Sequence, residues 1–295
     1  MSTPVNVGSQ QNAVLHCHDR AARLQFGRKL SVQRQEAGMF GQIAPTEFDL
    51  RFRLLGIPVR VHPVFWLTSA FLAWSSGDPR KSLIRVLCIF VAILVHEMGH
   101  ALMNRRFGWH SEIVLYFFGG YATSMRHTTW KDIAVSAAGP AAGFALLFAI
   151  WIPCRVSGVM PTWSLFPPVF DPAAMRNWPA IVAPGSSGNN LLIDAIQFSL
   201  FINFVWNAVN LLPVFPLDGG QISRELCLRF NRRGGMDVAL KLSMLFSAAV
   251  TAWAIECMMN KKPLLGLDPL FLAIMFGYLC FQSYQASQSH GRGYW

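Results

Sequence analysis

The segment "HEMGH", residues 96 to 100, sets His96, Glu97 and His100 in the spacing H-E-x-x-H. On a helix, positions i and i+4 share a face, so two imidazoles converge on one point with a carboxylate beside them. That geometry suits a single zinc ion, with the glutamate left to handle a proton. With 8 histidines in 295 residues, chance produces the pattern roughly 0.004 times. Its setting adds weight, because "VLCIFVAILV" runs directly into it. Ionisable groups inside an apolar span cost at least about 2.5 kcal/mol each and mark function by default. A buried ion pair kept only for stability is the weaker explanation, since desolvation can exceed the Coulombic gain.

A catalytic zinc takes three protein ligands and leaves one position open to water. The candidate for the third is Asp218 in "NLLPVFPLDGGQ", residues 210 to 221, where Pro213, Pro216 and two glycines interrupt a long apolar helix. Broken backbone at membrane depth is tolerated only within protein or beside a water-filled cavity, and such a break can turn a carboxylate toward a neighbouring helix. The residue types allow peptide hydrolysis: zinc activates water and polarises the carbonyl, while Glu97 takes a proton and returns it to the leaving amine. Asn210 has two readings that the sequence leaves open, donation to the developing oxyanion or satisfaction of carbonyls freed by Pro213.

The elements that position these residues follow from composition. Hydrophobic residues make up 53% of the chain and charged ones 14%, with a mean hydropathy of +0.35, whereas soluble domains carry about 25% charged residues. The expected fold is an all-α polytopic membrane protein with about six transmembrane helices and a small membrane-associated β-sheet. Apolar runs cover residues 84–103, 133–153, 191–212, 238–258 and 264–281, with a shorter sixth at 63–77. With six spans, 18 of the 25 Lys and Arg fall on one side, which the positive-inside rule makes cytoplasmic together with both termini. The net charge of +10 is thereby explained without nucleic acid as a partner. His96 lies eight residues before Asn104, about 12 Å inside the hydrocarbon. Both motifs therefore belong at the cytoplasmic ends of spans that run from outside to inside.

Three regions are expected: a mobile cytoplasmic N-terminal tail over 1–47, a membrane domain over 48–281, and a cytoplasmic C-terminal tail over 282–295. The first tail is polar, holds no apolar core of signal-peptide length, and includes Met39 as an alternative start. Six scattered cysteines indicate no disulfide framework, and "HCH" at 16–18 reads as a chance grouping. Residues 48–61 alternate with period two around Gly56, as a β-hairpin does, and 112–125 is a second extended run. Within it, Gly119 and Gly120 permit close backbone approach, so its edge could accept an unwound substrate as an added strand; a simple glycine turn is the plainer reading. Gly139, Ala142 and Gly143 read as helix-packing residues. Residues 154–190 form an irregular outer loop rich in proline and aromatics.

"HEMGH", "FFGGYATS", "AAGPAAG" and "NLLPVFPLDGG" together resemble the site-2 protease family of intramembrane zinc metalloproteases over roughly residues 48–281. The resemblance implies one zinc per chain held by His96, His100 and Asp218, with Glu97 as catalytic base and Asn210 near the substrate carbonyl. It also implies substrates that themselves span the membrane, such as anti-sigma factors or membrane-held transcription factors. The spacing leaves no room for a PDZ domain between the motifs, and no nucleotide-sensing repeats follow, as in the compact form of the family. Two other classes carry different expectations. A membrane metal-ion transporter would show duplicated halves with matching interrupted spans, and none is visible. A catalytically silent binding protein has no need of an intact Glu97.

Overall fold

The computed structural model describes residues 45–74, 78–117, 119–122, 128–157, 191–260 and 268–291. All but Pro45 belong to one unit, Thr46–Trp295. Residues 1–44 of the expected N-terminal tail and most of the outer loop, 158–190, lie outside the described residues.

The first elements among the described residues are strands β1 (Leu50–Leu54) and β2 (Ile57–Val61), joined by Leu55 and Gly56 at φ 53° and 79°. Two central residues with positive φ make the two-residue turn whose twist matches the paired strands, and glycine carries the second position without steric cost. The expected hairpin is therefore present, with Leu50 opposite Val61 and Leu54 opposite Ile57. Strand β3 (Ile113–Tyr116) joins β2 in parallel, and β4 (Gly119–Ala122) pairs antiparallel with β3, giving a four-stranded sheet in the order β1-β2-β3-β4. Ile57, Val59, Val61, Ile113 and Leu115 turn into a core shared with Phe65, Ile89, Ile93 and Met98. That packing fixes the sheet against the helix bearing the H-E-x-x-H motif.

Seven helices follow among the described residues: α1 (Pro63–Leu72), α2 (Pro79–Arg106), α3 (Thr129–Val156), α4 (Leu191–Asn210), α5 (Asp218–Phe230), α6 (Gly235–Met259) and α7 (Pro269–Gly291). The start of α2 is dictated locally. Asp78 accepts from the amides of Arg80 and Lys81 at 3.0 and 3.4 Å, and Pro79 occupies the first turn, where its missing N–H costs nothing. Arg105 and Arg106 close the helix where cations suit its dipole. Helix α2 packs against α3 and α4, α3 against α4 and α5, and the chain continues through α5–α6 and α6–α7 contacts.

Helices α2, α3, α4 and α6 are long and apolar enough to cross a membrane. Four of the six expected spans are thus present among the described residues. Helix α1 has 10 residues where a span needs about 20. Helix α7 is 23 residues long, but its second half carries Gln282, Ser283, Gln285 and Ser287, and it continues to Gly291, past the expected boundary at 281. The amphipathic α5 was not foreseen, because Pro213, Pro216 and the two glycines read from sequence as an interruption of a helix.

Candidate metal centre

Helix α2 delivers His96 and His100 from consecutive turns of one face, and their Nε2 atoms stand 3.1 Å apart. Asp218, the first residue of α5, reaches the same point: its Oδ2 lies 3.1 Å from His96 Nε2 and its Oδ1 3.3 Å from His100 Nε2. The three donor atoms all fall within 4.8 Å of one another, the arrangement expected of metal ligands. Tetrahedral ligands at 2.0–2.1 Å from zinc are separated by about 3.3 Å, close to what is seen. Asp218 Oδ2 is buried and accepts no hydrogen bond, as befits an oxygen turned to a cation. Two imidazole nitrogens and a carboxylate form a donor set that fits zinc.

The surroundings hold these donors in place. His96 Nδ1 meets Asn207 Oδ1 of α4 at 2.8 Å, and His100 Nδ1 meets the Val135 carbonyl of α3 at 2.7 Å. An acceptor at each Nδ1 leaves each Nε2 lone pair directed inward. Gly139 makes room for His100, since a Cβ there would stand 2.1 Å from its Nε2, and Gly143 does the same for Asn207. The expected packing role of these two glycines is thus also a role in shaping the centre.

Asp218 arrives by way of the turn at residues 211–217, where Val214 and Leu217 amides bond back to the Leu212 and Val214 carbonyls at 2.7 and 2.8 Å. The Phe215–Pro216 peptide is cis. Phe215 N–H donates to Ser243 Oγ of α6 at 2.8 Å, and Ser243 in turn bonds Ser283 of α7 at 2.8 Å. Gly219 and Gly220 let α5 close on this turn, for a Cβ on either would lie within 2.1–2.5 Å of the Leu211 or Val214 backbone.

Glu97, next to His96 on α2, is 4% exposed. Asn210 is buried at the end of α4, where its Nδ2 donates to the Trp206 carbonyl at 2.9 Å. The Val209 carbonyl, the acceptor that Pro213 would otherwise serve, is taken by the Leu212 amide at 3.0 Å. Gly119 and Gly120 stand on β4, an outer strand of the sheet, which packs against α2. Asn207 was missed from sequence. The available signal was an amide within the apolar run "FINFVWNAVN", one helical turn from Asn203 and facing a polar motif.

The sequence model of peptidase family M50 matches residues 84–252, more than half of the chain and all of the metal centre. The chain belongs to peptidase family M50. Among curated relatives, Stage IV sporulation protein FB of Bacillus subtilis is 27% identical over 208 residues, covering 68% of this chain and 58% of that protein. Zinc metalloprotease MJ0392 of Methanocaldococcus jannaschii is 25% identical over 178 residues, covering 59% of this chain and 44% of that one. The chain thus spans about half the length of the curated relatives it matches. A solved structure described as Site-2 Protease from Methanocaldococcus jannaschii superimposes with a TM-score of 0.51 at 19% identity, over 81% of this chain and 95% of that one. At that identity the likeness establishes the fold, which is that of a site-2 protease.

Proposed function

We propose that this M50 chain is an intramembrane zinc endopeptidase that cleaves a membrane-spanning protein substrate within or near the bilayer. The observation that carries the reading is the convergence of His96, His100 and Asp218, from two separate elements, on one point beside a buried Glu97. Zinc held by His96, His100 and Asp218 would supply Lewis acidity to a water molecule and to the scissile carbonyl. Glu97 then removes the water proton and passes it to the amide nitrogen of the leaving strand. Burial keeps bulk water from competing for these transfers and strengthens every charge interaction at the centre.

A peptide bond in a membrane helix is shielded by its own hydrogen bonds, so the substrate must unwind. Strand β4 lies at a sheet edge and against α2, and its backbone can replace the lost helical bonds, with Gly119 and Gly120 allowing the approach. Asn210 Nδ2 carries two N–H groups: one is given to the Trp206 carbonyl at 2.9 Å, and the second is the donor that can serve the oxyanion. With the six spans expected from the sequence, the orientation that suits the basic residues puts both termini and the metal centre toward the cytoplasm in a multi-pass cell-membrane protein. A membrane-held regulatory factor, such as an anti-sigma factor or transcription factor, is the substrate class that fits a cut released on that side.

The test uses the purified chain in liposomes with a single-span reporter protein. The proposal predicts a cut in or beside the reporter span, abolished by a zinc chelator and restored by added zinc. Metal-ion flux without any cut under the same conditions would overturn it in favour of transport.

A further inference from the structure

The contact between Asn207 and His96 does more than fill space between α2 and α4. An imidazole can present either nitrogen to a metal, and the hydrogen bond at the other nitrogen decides which. At His96 that partner is Asn207 Oδ1, 2.8 Å from Nδ1, on a residue 1% exposed. Which end of the amide faces the ring is itself determined. Asn207 Nδ2 donates to the Asn203 carbonyl at 2.5 Å, and a carbonyl can only accept. The oxygen must therefore face His96, an oxygen requires Nδ1–H, and the Nε2 lone pair is left toward Asp218 and His100. Gly143 completes the arrangement, since a Cβ there would lie 2.1 Å from Asn207 Nδ2 and 2.3 Å from Oδ1. His100 differs, because its Nδ1 rests on the Val135 backbone carbonyl, which no side-chain change removes.

We propose that Asn207, seated in the slot left by Gly143 and oriented by the Asn203 carbonyl, is a positioning residue that holds His96 as the Nδ1–H tautomer with Nε2 directed at the metal. The inference rests on the zinc reading above and extends it to a residue outside both ligand motifs.

Zinc affinity of the full-length chain in detergent, read by competition with a chromophoric chelator, separates this role from simple packing. Asn207→Leu is expected to bind zinc 10- to 100-fold more weakly, the usual loss when such a partner is removed. Asn207→Asp keeps the acceptor and loses the donor to Asn203, and is expected to hold zinc within about threefold of the native protein. Gly143→Ala is expected to reproduce the leucine defect, and the two together to add little, because both act through one hydrogen bond. Native affinity in a folded Asn207→Leu protein would overturn the proposal. Should that variant fail to fold, the aspartate decides: affinity kept supports the proposal, and a tenfold fall contradicts it. The native arm reports separately on the underlying reading, for a native chain that takes up no zinc defeats the metal centre itself.

Discussion

Glu97 is separable from the ligands it sits among, and a substitution can exploit that. Glu97→Gln keeps the size and the buried position but cannot take a proton, so zinc content is expected to stay at one per chain while reporter cleavage falls by about 10²- to 10⁴-fold. Undiminished cleavage would remove Glu97 from its assigned role. Gly139→Ala makes the opposite prediction, because its new methyl would overlap His100 Nε2. Zinc should be lost along with activity, as metal analysis of the purified variant would show. The grouping of His96, His100 and Asp218 was legible in the sequence because imidazoles and carboxylates are scarce and costly in apolar surroundings. Asn207 and the steric duty of Gly139 and Gly143 were not. Room for a neighbour's ring is a property of three packed helices, and one chain's spacing does not encode it visibly.

Between elements, a two-point polar tie runs from Arg85 on α2 to Asp194 on α4, at 2.9 Å from Nε and 2.6 Å from Nη2, with the guanidinium also 5.3 Å from the Phe198 ring. Removing one partner leaves a half-buried charge without its counterpart, whereas removing both leaves none. Asp194→Asn should therefore lower the melting temperature in detergent, and Arg85→Met combined with Asp194→Asn should lower it less. The hairpin has its own titratable lock. Burial alone would raise the Asp49 carboxyl, but the Thr46 hydroxyl and amide and the Arg60 guanidinium hold it down to about 2. A depressed folded value contributes stability above the ordinary carboxylate range that is lost as pH falls through about 2. Amide protection over Leu50–Leu54 should drop in that window relative to its value at pH 5, and Asp49→Asn should remove the dependence. The strands were readable from period two and the long spans from hydropathy. Helix α5 was hidden because Gly219 and Gly220, which break helices by propensity, are kept helical here by close packing on the 211–217 turn.

For the whole molecule, the proposed orientation follows from charge asymmetry and commits the C-terminus to the cytoplasm. A reporter protein fused after Trp295 should be active only in the cytoplasmic form, and activity on the outer side would invert the topology. The central claim is that one zinc ion is gripped by side chains from α2 and from the start of α5. Zinc K-edge X-ray absorption on the purified chain tests it most directly. The account predicts one zinc per chain with two imidazole nitrogens and carboxylate oxygen at about 2.0–2.2 Å, and loss of the oxygen ligand or of the metal in Asp218→Ala. Sulfur at about 2.3 Å, or a spectrum unchanged by Asp218→Ala, would contradict it.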